Sequence, residues 1–303
     1  MMKTQVLILG AGPAGLMAGI YATRAGLKAV VLTGSAQGGQ LLLTHQIENF
    51  PGFLKISGTE LVENLTQQAV QSGVELISQN AVSVSVKKHP FVVKSDADEE
   101  YQCDSLIVAT GASPKWLNLP GEATFKGHGI SICAVCDGFF YKDKTVMVIG
   151  GGNTAAYEAL YLSHIAKKVY LVHRRDTLRA EYKLAEQIKN NPKIEILWNT
   201  QAVCFKGKNR LSSVVLKTEN QEREVLVDGV FEAIGQTPNA TIFHGQVERD
   251  EAGFIITDKR TMETSVAGVF ACGDVQEKGH RQAIIAAASG ALAALGAEKY
   301  LLG

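Results

Sequence analysis

Twice in this chain an apolar strand runs into clustered glycines and out again into a helix. The first copy reads QVLILG, GAGPAG and LMAGIYATRAG, and leads to a second strand, AVVLTG. The second reads TVMVIG and GGNTAAYEALYLSHI, and leads to KVYLVHRR. A strand–helix–strand unit with glycines at the first bend is the unit of nucleotide-binding α/β folds. In the G-x-G-x-x-G run each glycine has its own task. Gly10 makes the tight turn, Gly12 lets the backbone approach a pyrophosphate, and Gly15 lets helix and strand pack closely. The helix that opens with Pro13 then presents unpaired N–H groups, from Ala14 onward, to phosphate oxygens. The second turn carries Gly150 and Gly152, then Asn153 and Thr154, with Ala155 in the third glycine's place. The plainer alternative for either turn is a structural bend with no ligand.

Two such units predict an α/β protein with two Rossmann-like dinucleotide-binding domains. The exits VATGASPKWLNLPGE and AIGQTPNATIF both follow apolar strands and are broken by Gly and Pro. They bracket a middle domain over 115–243, between a first segment at 1–114 and a second at 244–303. The last segment, with GVFACGDV and an Ala-rich helix, has no glycine turn of its own, so it is expected to complete the first domain's sheet. One domain inserted into another leaves two crossings, a natural hinge.

The strands after the two turns end differently. An acid that holds ribose hydroxyls is usual there, but the first strand ends at Thr33. The second ends HRRDTLR, with His173, Arg174, Arg175 and Arg179. Guanidinium groups bind a 2′-phosphate bidentately, where a carboxylate would repel it. The alternative is a solvated basic face. On this reading the first site takes FAD and the second NADPH. CGDVQEKGHRQA supports FAD: Asp274 ends a strand just before a helix, where it could hold a polyol hydroxyl, and the helix start could face the electron-rich side of the flavin ring.

Composition removes other classes. Lys+Arg and Asp+Glu number 30 each in 303 residues, so the basic footprint of a nucleic-acid binder is missing. Hydrophobic residues at 46% and charged residues at 20% fit an ordinary globular chain. Five cysteines with a single close pair do not make a secreted disulfide framework. The N-terminus lacks the pattern of a signal peptide. AIIAAASGALAALGA reads as too short and too rich in small residues to span a bilayer. A cytoplasmic protein with no membrane or nucleic-acid partner is the expectation.

The close pair, Cys133 and Cys136 in SICAVCDGFF, could be a metal clamp, a staple or a redox centre. Zinc needs four ligands, and Cys103, Cys204 and Cys272 are isolated, so no metal is expected. A bridge across two residues closes almost no loop and stabilises little. Redox chemistry remains: a thiolate forms readily in Cys-x-x-Cys, and the two sulfurs exchange electrons as a pair. Asp137 could shuttle the accompanying proton, or it could be the acid of a turn, since DG is a turn signal.

Taken together and in order, GAGPAG, GGQL, ENFPG, ATGA, CAVCDGFF, GGGNTA, HRRDTLR, AIGQTPN and GDVQEKGHRQA make the chain resemble the bacterial low-molecular-weight thioredoxin reductases over essentially its whole length. The resemblance implies a homodimeric flavoenzyme whose FAD domain is split around an inserted NADPH domain. It further implies reduction of thioredoxin, or a thioredoxin-like protein, by NADPH through FAD and the Cys133–Cys136 pair, with domain rotation between half-reactions. Cys136 would be the sulfur nearer the flavin, Cys133 the one exchanging with thioredoxin, Asp137 the acid/base, and Phe139 and Phe140 part of the docking surface. FAD would be touched by the Thr33–Gln40 loop (Thr33, Gly34, Ser35, Gly38, Gly39, Gln40), by Leu41 and Asn49, and by Val82, Thr110 and Gly111. From the C-terminal segment it would be touched by Gly273, Asp274, Val275, Arg281, Gln282 and Ala283. NADPH would add Ile234 and Gly235 to the second turn and its arginines. The family also lacks the ribose acid at its first site, which accounts for Thr33. Two departures stand out. Val135 replaces a common threonine between the cysteines, and His128 stands where relatives often carry a fixed cation, so docking is expected to weaken as pH rises through neutrality. Related reductases without the cysteine pair, dithiol oxidases without the arginines, and a non-catalytic flavin-binding module are the rival readings.

Overall fold

QVLIL shows no polar alternation, the pattern of a strand covered on both faces, and it lies inside the first sheet. In the computed structural model the described residues are 1–35, 37–44, 46–219, 221–277 and 279–303. Ala36 of the loop expected to touch FAD, and Lys278 of the GDVQEKGHRQA segment, fall outside them. β1 (Met2–Leu9) leads through α1 (Pro13–Arg24) to β2 (Ala29–Leu32), and α2 (Gly58–Gln71) leads to β3 (Glu75–Ile77). β4 (Ala81–Ser85), β5 (Phe91–Ser95) and β6 (Glu100–Val108) follow. Their spatial order is β3-β2-β1-β6-β5-β4, parallel from β3 to β6 and antiparallel beyond.

The chain crosses over at β7 (Ala112–Pro114) and forms α3 (Glu122–Phe125), β8 (Ile130–Ser131) and α4 (Ala134–Asp137). The second βαβ unit follows as β9 (Thr145–Gly150), α5 (Asn153–Ile165) and β10 (Lys168–Val172), then α6 (Tyr182–Lys189) and β11 (Ile194–Leu197). β12 (Thr200–Gly207), β13 (Leu211–Thr218) and β14 (Gln221–Leu226) form an antiparallel sheet before β15 (Gly229–Ala233). The parallel order here is β11-β10-β9-β15-β8. The return crossing, β16 (Gln236–Pro238), pairs with β7. β17 (Val269–Ala271) then joins β6 in parallel, and α7 (Ala283–Leu302) ends the chain.

Two compact units result: Met1–Ser113 with Thr237–Gly303, and Pro114–Gln236. The second unit ends at Gln236 and not at Phe243. The segment after Gln236 is fixed to the first unit: the Asn239 amide donates to the Gly111 carbonyl at 2.9 Å, and its side chain to the Thr110 carbonyl at 3.0 Å. Phe243 is fully buried with Val93, Tyr101 and Val269 in that unit's core. The AIGQTPN exit read as linker is therefore anchored from its second half onward.

α7 is 20 residues long and is apolar enough to cross a membrane by length and composition alone, so the expectation that this stretch is too short fails. Its small residues serve packing. Ala287, Gly290, Ala293, Ala294 and Ala297 are buried, and Gly290 lies so close to α1 that an added Cβ would sit 2.0 Å from the Ala14 carbonyl oxygen. A glycine-to-alanine change inside a helix normally gains about 1 kcal/mol, but overpacking against backbone costs roughly 1–3 kcal/mol, so the clash wins. Gly290→Ala is expected to lower the denaturation midpoint. A midpoint equal to or above the parent's would mean the two helices part freely.

Candidate functional site

At the first glycine turn the three glycines have separate surroundings. A Cβ on Gly10 would lie 2.4 Å from the Ala109 carbonyl oxygen, and one on Gly15 would lie 1.8 Å from the Gly10 carbonyl oxygen. A Cβ on Gly12 would meet nothing within 4 Å. Gly12 is the N-cap of α1, with Pro13 and Ala14 opening the helix, and no side chain caps it. The first-turn amides of a helix lack intrahelical partners, so those of Ala14 and Gly15 are left to an anion. Space at Gly12 and uncapped amides beside it fit a pyrophosphate.

The other residues expected at this site belong to the same unit. The Gly38 amide donates to Ala11, and Gly273 lies so near Ala14 that an added Cβ would be 2.9 Å from the alanine methyl. Asn49 Nδ2 donates to Gln282 Oε1 at 3.0 Å, joining residues far apart in sequence just before Ala283 starts α7. Gln40 Nε2 reaches the Ala112 carbonyl at 3.5 Å, and Arg281 lies 5.6 Å over the Phe254 ring. Asp274 is half-buried; burial pushes its carboxyl up, Arg281 pulls it down, and Glu277 adds a smaller upward push. Gly39 and Leu41 lie in a short 3₁₀ turn, and Leu41 packs on the core between sheet and helices. Val275 is fully buried, so only its backbone is open to a ligand. The Thr33 hydroxyl donates to Gly34 and is buried, so it does not replace a ribose-binding acid. The Gly34 amide donates to the Gln79 carbonyl at 3.1 Å, and Asn80 Oδ1 accepts from the Ser35 amide at 3.1 Å. Val82 lies two residues beyond Asn80 on the edge strand β4, exposed. Thr110 and Gly111 are tied to Asn239. Asn80, Asn239 and Ser289, whose hydroxyl accepts from the Gly273 amide, escaped the sequence reading. They fasten backbone at a distance and carry no local motif.

The second turn repeats the pattern with a different floor. A Cβ on Gly152 would again meet nothing within 4 Å, and α5 starts there without a side-chain cap. One on Gly150 would lie 2.5 Å from the Ala233 carbonyl oxygen, and Ala155 is fully buried in the third position. Arg174, Arg175 and Arg179 are exposed, and the Arg179 amide donates to Gly151 at 2.7 Å, which sets the arginine loop beside the turn. Ile234 is half-buried, and Gly235 accepts from the Lys115 amide at 3.0 Å. One expectation needs correction. His173 is 4% exposed, and its ring lies under the turn: a Cβ on Gly151 would be 2.1 Å from it. Its Nε2 faces the Thr177 carbonyl at 2.9 Å, and burial holds the ring toward its neutral form. It is a wedge between turn and arginine loop, not a phosphate ligand. The Asn153 side chain donates to Glu181 Oε1 at 2.9 Å and accepts from the Glu181 amide at 2.8 Å, which fixes it to the start of α6.

Cys133 and Cys136 form a disulfide across the first turn of α4. Cys133 is the N-cap, its sulfur accepting from the Cys136 amide at 3.2 Å. Asp137 stands at the start of the 3₁₀ turn Gly138–Tyr141 but makes no side-chain capping bond to it. It takes a 2.6 Å hydrogen bond from the Ser131 hydroxyl, which also accepts from the Cys133 amide at 3.1 Å. Ser131 fixes acid and disulfide to each other, a role not read from the sequence. Cys136 and Val135 are exposed and Cys133 is half-buried. Phe139 and Phe140 follow, 66% and 38% exposed, with rings edge to face. His128 lies in the turn between α3 and β8, its backbone bonded to Phe125 and Leu211. Cys103 and Cys272 are buried, which pushes both thiols up to about 12 and leaves them unreactive.

The glycines make a contrast that can be measured. Gly12→Ala should fold within about 0.5 kcal/mol of the parent but purify with much less bound dinucleotide. Gly15→Ala should lose stability first. Equal dinucleotide content in Gly12→Ala would remove the pyrophosphate from that space.

Residues 4–290 match the model of the pyridine nucleotide-disulphide oxidoreductase family. The thioredoxin reductase of Rickettsia felis is 46% identical over 98% of this chain and 98% of its own length. That of Chlamydia pneumoniae is 45% identical over 99% and 100%. The solved thioredoxin reductase of Giardia duodenalis covers 100% of both chains at 40% identity, with a TM-score of 0.96. Two glycine turns and one redox-active disulfide, found together along the full length of such relatives, place this chain in the pyridine nucleotide-disulphide oxidoreductase family, in its thioredoxin reductase branch.

Proposed function

We propose that the chain catalyses NADPH-dependent reduction of the disulfide of thioredoxin or a thioredoxin-like protein. FAD belongs at the first glycine turn and NADPH at the second. The observation that carries this reading is the Cys133–Cys136 disulfide bonded through Ser131 to Asp137, in the unit whose glycine turn is flanked by three exposed arginines. When bound, FAD supplies a two-electron relay between a nicotinamide hydride and a disulfide.

The protein's own part is chemistry at sulfur. An electron pair arriving at the disulfide breaks the S–S bond and leaves two sulfurs to share one added proton and one negative charge. Asp137, oriented by Ser131, holds and returns that proton. The Cys133 thiolate attacks the partner's disulfide, forming a mixed disulfide and releasing one partner thiol, and Cys136 then displaces the second. The exchanging role of Cys133 rests on the resemblance, since Cys136 is the more exposed sulfur here. A flavin cannot face nicotinamide and disulfide while the disulfide also faces a protein, so the proposal includes rotation about the crossings at β7 and β16. Phe139 and Phe140 offer an apolar patch for the docked partner.

A homodimer fits the outer face of α7, where Ile285, Leu292 and Leu295 are exposed at helical spacing. Its small-residue face is already used against α1, which favours packing over a membrane span. A balanced charge argues against nucleic acid as a partner, and thiols meant to cycle suit the reducing cytoplasm.

Cys136→Ser is expected to keep both nucleotides and NADPH-driven bleaching of the flavin, to lose at least 100-fold in thioredoxin reduction on the order expected for a lost nucleophile, and to trap a mixed disulfide through Cys133. Turnover equal to the parent's would sink the assignment. Replacing Arg174 and Arg175 with alanine should cut the preference for NADPH over NADH by roughly 10- to 100-fold, as loss of charge-assisted phosphate contacts implies. An unchanged ratio would remove these arginines from the phosphate site.

A further inference from the structure

β15 is buried along its whole length, and its fourth residue is a glutamate. Glu232 is 2% exposed and shares a layer of the second unit with Met147, Ile149, Phe205 and Ile234. A bare carboxylate there is strongly disfavoured. Glu232 Oε2 accepts from the Leu117 amide at 3.1 Å, while Oε1 is buried with no hydrogen-bond partner among the described residues. Glu122, also 2% exposed, stands beside it. Its Oε2 accepts from the Leu119 amide at 3.3 Å, and its Oε1 pairs with Lys126 Nζ at 2.9 Å. Lys126 in turn lies 3.8 Å over the Trp116 ring.

These contacts fasten one stretch of chain. Lys115 bonds to Gly235, Leu117 to Glu232, Leu119 to Glu122, and Trp116 is covered by Lys126. The stretch begins directly after Pro114, where the chain enters the second unit. Two buried carboxylates face a single cation, so one charge is left over. A proton on Glu232 removes it and lets that carboxyl donate to Glu122 beside it.

We propose that Glu232 is a positioning residue whose protonated carboxyl clasps the entry segment Lys115–Leu119 to the end of β15, the clasp slackening when that proton passes to the buffer. The charged groups facing it are Glu122 and Lys126, from α3 and its end; β9 and β12 contribute apolar residues. Burial first, and then the Glu122 charge, push the Glu232 carboxyl up to about 7 against the pull of the Leu117 amide and Lys126. The closed clasp thus binds the proton more tightly than an opened, hydrated one. Its stability is full at low pH, falls as pH rises above the ordinary carboxylate range, and levels off once Glu232 ionises in place. The inference does not depend on the electron acceptor, and under the function proposed above it concerns one of the two crossings on which rotation would turn.

The test is amide exchange at Leu117 and Leu119 in the full-length, cofactor-loaded, oxidised chain, normalised for the intrinsic pH dependence of exchange. Opening should increase about tenfold between pH 6 and 8 and then level off, as linkage for a group shifted to this extent requires. Glu232→Gln keeps an acceptor for Leu117 and should abolish the rise. Glu122→Gln should move the levelling to lower pH. A flat parent profile, the same rise in Glu232→Gln, or an unmoved profile in Glu122→Gln would overturn the proposal, and the last carries the test alone if Glu232→Gln does not fold. A chain that shows this dependence but fails to reduce thioredoxin would refute the function and leave the clasp standing.

Discussion

Close approaches between strand end and helix start shape both nucleotide turns. A Cβ on Gly15 would meet the Gly10 carbonyl oxygen, and one on Gly150 would meet the Ala155 methyl at 2.7 Å. These contacts bring a helix N-terminus to the strand edge, where its first amides lack intrahelical partners. Gly12 and Gly152 keep the space in front of those amides empty. Everything assigned to nucleotide binding is arranged around these two bends. The C-terminal segment reaches the first through Gly273 on Ala14 and Gly290 on the same residue's carbonyl, which is why a helix so far along the chain belongs to the first unit.

The redox turn is built on a shorter scale. Hydrogen bonds within seven residues of chain join Ser131, the Cys133 sulfur and Asp137 into a local cassette. β8, paired with β15, and the buried Ala134 of α4 fix it to the sheet. The glycine turns, by contrast, need an entire sheet. A local redox element set in a nucleotide-binding unit lets electrons and protons be handled by groups that keep their mutual geometry.

Much of this was legible in the sequence, for reasons that can be named. Glycine turns, the arginine loop and the cysteine pair are contiguous, and their chemistry depends on neighbours along the chain. What escaped depends on contacts made at a distance. Phe243 follows a Pro- and Gly-broken exit that reads as linker, but Asn239 pins that exit to Thr110 and Gly111. His173 sits in a basic run that reads as ligand, but it lies just past β10 with its ring packed beneath Gly151 and bonded to Thr177. Asn80 and Ser289 hold the first site's loops through single bonds that no pattern announces.

The sequence by itself determined the two βαβ units, the difference in phosphate chemistry between them and the redox character of the cysteine turn, because each is set by residues within one or two turns of chain. Only the tertiary structure decided where the units divide, which motif residues point inward and which face solvent, and that two buried glutamates with one lysine secure the chain as it enters the second unit. Burial and pairing of distant groups are properties of the folded packing, and a carboxylate at position 232 acquires its character only when Glu122 and Lys126 are brought beside it.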